Sequence, residues 1–247
     1  MTATILVTGG TGTLGKLVVP QLTAAGYAVR VLTRRGGVNT DGIAHVQGDL
    51  LKDDVDLTGV DVVVHLAGGA KGDAVAAANL TKAAARAGVR HLVHISVIGA
   101  DKMPIGYFRE KAGAEQAVRD SGVPWTILRA AQFNSLTLTV ARKLASLPIV
   151  PVPGGLRFQP VDERDVADRI VELALGDPAG AVPDLAGPTV YDVRQLVDTL
   201  HGKRRPKLPI RLPGKVGRAY RNGDNLTLTA ATIGNHTWED YLAQPVR

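Results

Sequence analysis

Cysteine is absent from the 247 residues. That excludes disulfides, thiolate nucleophiles, zinc ribbons and iron–sulfur clusters together, and it fits a reducing cytoplasm. Aromatic residues are scarce, with two Trp, five Tyr and three Phe, so the core must come from Ala, Val, Leu and Ile and any ring in a functional place is conspicuous. No stretch approaches the roughly 18 uninterrupted apolar residues of a membrane span. The opening Met1–Val7 has no basic flank and runs straight into glycines, so it does not read as a signal peptide. A soluble, cytoplasmic chain without a membrane partner is expected. With 45% hydrophobic and 21% charged residues, disorder, collagen-like sequence and an extended coiled coil are excluded.

Acids are missing from one segment. Residues 201–221 hold Lys203, Arg204, Arg205, Lys207, Arg211, Lys215, Arg218 and Arg221 and no acid, while the other residues carry 21 bases against 23 acids. The net charge of +6 is therefore local, not a property of the whole chain. A basic segment raises nucleic acid as a partner. Here Pro206, Pro209 and Pro213 interrupt the charges and Tyr220 is the only ring. Such a segment supplies neither a recognition helix nor a stacking platform. A solvated surface, or a cover for an acidic substrate, is the expectation, and no nucleic-acid partner is expected.

Short branched apolar runs alternate with Ala/Leu-rich amphipathic stretches. Thr4–Val7, Ala28–Leu32, Ala44–Gln47, Val60–Leu66, His91–Val97 and Trp125–Leu128 read as strands, too uniformly apolar for a one-sided sheet. Gly12–Ala25, Ala74–Ala87 and Ile105–Ser121 read as helices, with Gly26, Gly88 and Gly122 as closing caps and Pro20 an internal break of the helical rule. The order predicts a doubly wound α/β fold with a parallel sheet. From Leu147 the texture turns Pro- and Gly-rich, with a helical run over Asp162–Leu175. One domain is expected over residues 1–247, with a core to about residue 146 and a smaller C-terminal, substrate-side part over 147–247.

Thr8-Gly-Gly-Thr-Gly-Thr-Leu-Gly15 lies between the first strand and the first helix. Gly9, Gly12 and Gly15 supply a tight turn, close approach of backbone to a pyrophosphate, and close helix–strand packing, while the helix start offers unpaired N–H groups to the anion. Dinucleotide binding is the reading; glycines that merely turn the chain are the alternative. After the second strand, where an acid would bond the adenosine ribose hydroxyls, the sequence has Thr33-Arg34-Arg35. Two guanidiniums favour a 2′-phosphate, hence NADP(H) over NAD(H), against the alternative of a solvated basic turn. After the third strand comes Gly48-Asp49-Leu50, whose carboxylate is placed to accept from the adenine amino group.

The glycine loop, Gly48-Asp49-Leu50, Leu66-Ala67-Gly68, Ser96, Tyr107-Phe-Arg-Glu-Lys111, Gly122 to Arg129, and Phe158-Gln-Pro-Val-Asp162 through Ala167 together resemble an atypical short-chain dehydrogenase/reductase. More narrowly, they resemble the NmrA-like, NAD(P)H-binding branch, from residue 2 to about 175, with Thr237–Leu242 similar to its closing helix. The resemblance implies a Rossmann-type sheet. It also implies cofactor contacts at Thr8, Gly9, Gly12, Thr13, Leu14, Gly15, Arg34, Arg35, Asp49, Leu50, Ala67 and Gly68, and a catalytic Ser96, Tyr107 and Lys111. In such a set the Tyr exchanges the substrate proton, the Lys lowers its pKa and holds the nicotinamide ribose, and the Ser orients the carbonyl. The residues agree with this much: Tyr107 and Lys111 stand four apart on a predicted helix and point the same way. A free Tyr titrates near 10 and acts near neutrality only beside a stabilising cation.

Other residues are weighed against plainer roles. Phe133 follows the sixth strand, and a substrate-pocket role stands beside a core role. For Asn79 and His65, packing is the simpler reading. His91 and His94 share a strand without a third ligand, so no metal is expected. Asp162, Glu163, Asp165 and Asp168, with Arg164 and Arg169 nearby, read as helix-start charge and i,i+4 pairing. The expected function is NADP(H)-dependent hydride transfer to or from a small carbonyl, quinone or hydroxy compound. The alternative is a non-catalytic NADP(H)-binding redox sensor.

Overall fold

The computed structural model describes residues 3–52, 55–200, 206–227 and 231–244. The first half alternates as its periodicity requires: β1 (Thr4–Thr8), α1 (Gly15–Ala24), β2 (Ala28–Thr33), β3 (Ile43–Gln47), β4 (Val62–His65), α2 (Asp73–Ala87), β5 (His91–Val97), α3 (Gly106–Arg119) and β6 (Trp125–Ala130). There follow α4 (Asn134–Ala145), β7 (Val150–Pro153), β8 (Arg157–Phe158), α5 (Glu163–Leu175), β9 (Gly180–Ala181), β10 (Leu185–Ala186) and β11 (Tyr191–Asp192). The chain continues through α6 (Val193–Asp198), β12 (Lys207–Ile210), α7 (Gly214–Asn222), β13 (Thr232–Ile233) and α8 (Trp238–Leu242). The contacts divide the chain into two units: Met1–Ser96 with Arg109–Leu128 and Val166–Val182, and Val97–Phe108 with Arg129–Asp165 and Pro183–Arg247.

In the first unit the strands run in the order β3-β2-β1-β4-β5-β6. The ladders of β1 with β2 and β4, and of β4 with β5, are parallel, with Ile5 opposite both Val29 and Val62. All of β4 is buried, which is why its sequence, Val-Val-Val-His, shows no polar alternation. Leu6, Val63, Leu80, Leu92 and Ile127 belong to one aliphatic core cluster, as the shortage of rings demands. The order reverses between β1 and β4, and the crevice outside the carboxyl ends at such a reversal is where ligands of these sheets bind. Gly26, Gly88 and Gly122 adopt the left-handed conformation after their helices, as expected. Pro20 does sit inside α1.

In the second unit Ala130 at the end of β6 pairs in parallel with Leu185 of β10, and β10 pairs with β13. Strands β7 and β12 form a parallel pair, β8 and β11 an antiparallel one. Trp238, Tyr191, Leu196 and Ala141 form one core cluster. Helix α8, at the place expected for a closing helix, starts with a reciprocal capping box between Thr237 and Asp240.

Two sequence readings need correction, and one helix was not foreseen. Helix α1 begins at Gly15, not Gly12, because the loop first closes a turn through the Gly12 N–H to the Gly9 carbonyl (2.9 Å). Residues 134–145, which carry no clean helical signal among Thr137, Thr139 and Val140, are helical: α4 buries Thr137, Ala141 and Ala145, and the Ser135 N–H donates to Glu163 at 3.0 Å. The basic segment does contain a helix. Its residues 201–205 lie outside the described residues, but α7 carries Lys215, Arg218 and Arg221, opens after Pro213 and ends on left-handed Gly223. The prolines stop short of it, and the small buried residues Gly217 and Ala219 let it pack. Among the described residues no helix is long and apolar enough to cross a membrane.

Candidate active site

Between β1 and α1 the glycine loop is shaped by contacts that no side chain tolerates. Gly9 has φ +71°, and a Cβ there would sit 2.6 Å from the Ala67 nitrogen and 2.8 Å from the Leu66 carbonyl carbon. A Cβ on Gly15 would run into the Gly9 carbonyl oxygen and the backbone of Gly10. Gly12 is exposed and faces open space except for the Gly9 carbonyl. Leu14 stands at the N-cap without a side-chain cap, and α1 has no acid in its first turn. The positive end of the helix and the N–H groups about Thr13, Leu14 and Gly15 thus have no compensating anion in α1 itself, as a phosphate site requires. Thr8 is buried behind the loop. Its hydroxyl accepts from the Ala67 N–H (3.2 Å) and pairs with His65 Nδ1 (2.7 Å), which ties the carboxyl ends of β1 and β4 together.

Arg34 and Arg35 are exposed in the turn after β2, and among the described residues no carboxylate pairs with either. The Thr33 hydroxyl shapes that turn, accepting from the Arg35 N–H (3.1 Å) and donating to the Gly36 carbonyl (3.2 Å). After β3, the Asp49 carboxylate accepts from the Leu51 N–H at 3.1 Å. The Leu50 side chain is in the core and its carbonyl accepts from Asn79 Nδ2 (2.8 Å), so Asn79 has a packing role, fastening α2 to this loop.

Ser96 ends the first unit. Its hydroxyl is buried and makes no hydrogen bond among the described residues. Lys111 on α3 is buried with Asp73, the first residue of α2: Nζ lies 2.8 Å from Asp73 Oδ2, and both side chains are 7% exposed. The ammonium lies directly under Gly68, where a Cβ would be 2.5 Å from Nζ. Asp73 Oδ1 accepts from the Gly69 N–H (2.6 Å), and Glu110 Oε2 accepts from the N–H groups of Gly72 (3.1 Å) and Ala74 (3.4 Å). Beside this pair, His65 and His94 stack with centroids 5.0 Å apart. Burial, then each other's charge and that of Lys111, hold His65 well below the ordinary histidine range. Burial first and Lys111 second bring His94 down to about 3. Both rings are neutral near pH 7. The sequence reading missed Asp73 and the stacking of His94; an acid at the start of a helix reads as ordinary dipole compensation.

In the second unit Tyr107 lies in the first turn of α3, 36% exposed, its ring edge-on to Phe108 at 5.4 Å. Phe108 packs with Met103 and Ala219 of α7. Phe133 is the N-cap of α4, half-buried and bridged to Val161, and Asn134 beside it is fully buried. The acids at the start of α5 do not pair at i,i+4 as expected. Asp162 binds Arg164 through both oxygens, Glu163 holds the Ser135 N–H, and Asp165 accepts from the His236 backbone N–H (3.0 Å) and meets its Nδ1 at 2.6 Å. Burial would raise the Asp162 carboxyl, but the Arg164 bonds outweigh it and the net direction is down. Among the described residues no group of His, Cys, Asp and Glu could hold a metal ion.

A glycine cradle under an uncapped helix at the reversal of a parallel sheet defines a dinucleotide-binding protein. The family model described as NAD(P)H-binding matches residues 9–176. A (4-alkanoyl-5-oxo-2,5-dihydrofuran-3-yl)methyl phosphate reductase of Streptomyces griseus subsp. griseus is 37% identical over 204 residues, 77% of this chain and 70% of the relative. An NAD(P)H azoreductase of Xenophilus azovorans is 31% identical, over 66% of this chain and 60% of the relative. Among solved structures, an NADPH-dependent quinone oxidoreductase of Escherichia coli complexed with NADPH superposes with TM-score 0.75 at 21% identity, over 91% of this chain and 92% of the other. The chain belongs to the NAD(P)H-binding family, among the NmrA-like, atypical short-chain dehydrogenase/reductases, and is an NAD(P)-dependent oxidoreductase of that type.

Proposed function

We propose that the protein is an NADP(H)-dependent oxidoreductase, cytoplasmic, that moves a hydride between the nicotinamide and a small carbonyl, quinone or hydroxy compound. The observation that carries the cofactor reading is the glycine cradle with its uncapped helix, followed after β2 by two exposed arginines where NAD-binding chains place an acid. The N–H groups about Thr13, Leu14 and Gly15 hold the pyrophosphate, and Arg34 and Arg35 take the 2′-phosphate in forked, charge-assisted geometry. Asp49 serves the adenine side, and Ala67 and Gly68 line the loop above Lys111. Leu50 supports this loop from the core rather than touching the cofactor with its side chain.

When bound, the reduced nicotinamide supplies hydride. The chain's own residues handle the proton and the orientation. Tyr107 donates its hydroxyl proton to the substrate oxygen, Ser96 offers its unpartnered hydroxyl to the same oxygen, and Lys111 holds the nicotinamide ribose from beneath Gly68. Phe133 lines the substrate side. The relatives named as a (4-alkanoyl-5-oxo-2,5-dihydrofuran-3-yl)methyl phosphate reductase and an NAD(P)H azoreductase support a small organic acceptor.

The test is NADPH and NADH binding, followed by cofactor fluorescence, together with reduction of simple quinones and aldehydes. The wild type binds NADPH at least tenfold tighter, and replacing both Arg34 and Arg35 by Ala removes the preference. Tyr107→Phe lowers turnover by about 100-fold, within the range for a lost general acid. Equal affinity for both cofactors overturns the NADP(H) assignment; undiminished turnover by Tyr107→Phe overturns the proton donor.

A further inference from the structure

We propose that His65 is a positioning residue for the cofactor: its Nδ1 accepts the Thr8 hydroxyl proton and so locks the glycine cradle after β1 to the Ala67–Gly68 loop after β4. His65 acts through Thr8. The inference rests on dinucleotide binding in the cradle and not on the choice of cofactor or of proton donor.

Thr8 and His65 stand opposite each other in the parallel ladder of β1 and β4, 1% and 2% exposed, with little water to fall back on. The Thr8 hydroxyl has one proton to give. It accepts from the Ala67 N–H at 3.2 Å, and a backbone N–H takes no proton in return, so the hydroxyl proton goes to its other partner, His65 Nδ1 at 2.7 Å. His65 is thereby the neutral tautomer with its hydrogen on Nε2. Burial first, then the charges of His94 and Lys111, keeps the ring neutral and Nδ1 an acceptor. The ring is also stacked on His94, 5.0 Å between centroids and 24° between planes, so it does not swing off the bond.

What that bond fastens is a seam between two parts of the cofactor site. Gly9 follows Thr8, and a Cβ on Gly9 would lie 2.6 Å from the Ala67 nitrogen and 2.8 Å from the Leu66 carbonyl carbon. The cradle therefore rests on the same Leu66–Ala67 peptide whose N–H the Thr8 hydroxyl receives. One residue further, Gly68 lies over the Lys111 ammonium, 2.5 Å from a Cβ built there. Every member of this chain, from His65 through Thr8 to the Ala67 peptide, belongs to the first unit. Without the Nδ1 acceptor a buried hydroxyl proton loses its partner, at the cost of an unsatisfied polar group. The relief is for Thr8 to turn its proton elsewhere and release Ala67, which parts the cradle from the loop. The ladder bonds of β1 and β4 depend on neither side chain, so the damage falls on the two loops that hold the cofactor and not on the sheet.

Fluorescence titration with NADPH and NADH, together with steady-state kinetics, is applied to His65→Phe, Thr8→Val and the double variant, and is read with whichever cofactor the wild type binds tighter. Each single variant weakens cofactor binding about tenfold, the worth of one ordinary hydrogen bond, and raises the cofactor KM more than it lowers kcat. Because both remove the same bond, the double variant is no weaker than the worse single one. His65→Asn, whose amide oxygen stands where Nδ1 stood, recovers the affinity; a space-filling role alone would be kept by Phe and lost by Asn. Ring 15N NMR of the wild type shows a bare Nδ1 and a protonated Nε2 on His65, assigned by loss of its signals in His65→Asn. Full cofactor affinity in His65→Phe, additive losses in the double variant, or a protonated Nδ1 overturns the inference. If His65→Phe does not fold, the ring tautomer in the wild type and the affinity of Thr8→Val decide it. A wild type that binds neither cofactor refutes dinucleotide binding itself, which is a different failure.

Discussion

The stacked histidines make stability fall on mild acidification, by an amount that the burial sets. His94 is neutral in the folded protein down to about pH 3, whereas in the unfolded chain it takes up a proton near its ordinary value of 6.5. Between these limits the unfolded state binds more protons than the folded one, so stability is full above pH 6.5 and is lost as pH drops toward 3. At about pH 5 the loss is roughly 2 kcal/mol for His94, and His65, also lowered by burial, shifts stability in the same direction. That is already a sizeable part of an ordinary domain's roughly 5–15 kcal/mol. Urea unfolding followed by circular dichroism at neutral pH and at about pH 5 measures it, above the range in which ordinary carboxylates protonate. His94→Phe, similar in size and without a titratable nitrogen, loses the His94 share of this pH dependence. An identical dependence in wild type and variant refutes the reasoning, as does a His94 ring resonance that titrates near 6.5 in the folded protein.

Gly9→Ala puts a Cβ 2.6 Å from the Ala67 nitrogen at a left-handed φ of +71°. With strain of about 1–2 kcal/mol and a backbone clash at the floor of the cradle, NADPH affinity drops at least tenfold; unchanged fluorescence titration contradicts the cradle. Ser96→Ala removes a buried hydroxyl that makes no hydrogen bond among the described residues. Its melting temperature therefore stays at or above the wild-type value while turnover falls about 100-fold, as for loss of one oxyanion donor; a stability loss without a turnover loss refutes its assigned role. Trp238 is 1% exposed and its Nε1 donates to Thr199 Oγ1 at 2.9 Å. Trp238→Ala costs about 3–5 kcal/mol in unfolding free energy, and a loss under about 1 kcal/mol would show that its core cluster does not hold the C-terminal elements.

The strands β1 to β6 and the helices between them were legible because a parallel sheet covered on both faces writes itself as unbroken branched apolar runs, and because glycine marks each helix end. The glycine loop was legible for the same local reason: its backbone conformation and close contacts admit nothing else at Gly9 and Gly15. Helices α4 and α7 were not legible, since α4 is stabilised by Glu163, distant in sequence, and α7 by small residues seated on packed neighbours. Sequence by itself thus determined the alternation of strands and helices, the parallel sheet and the glycine loop; the strand order and its reversal between β1 and β4 came from the tertiary structure. Which charges meet was left to the tertiary structure. Asp73 and Lys111 are separated by 38 positions, and only the packing of α3 beside the start of α2 sets the carboxylate 2.8 Å from the ammonium and seals both from water. A pair of that kind leaves no periodic trace in the chain, because its strength comes from exclusion of solvent and not from spacing.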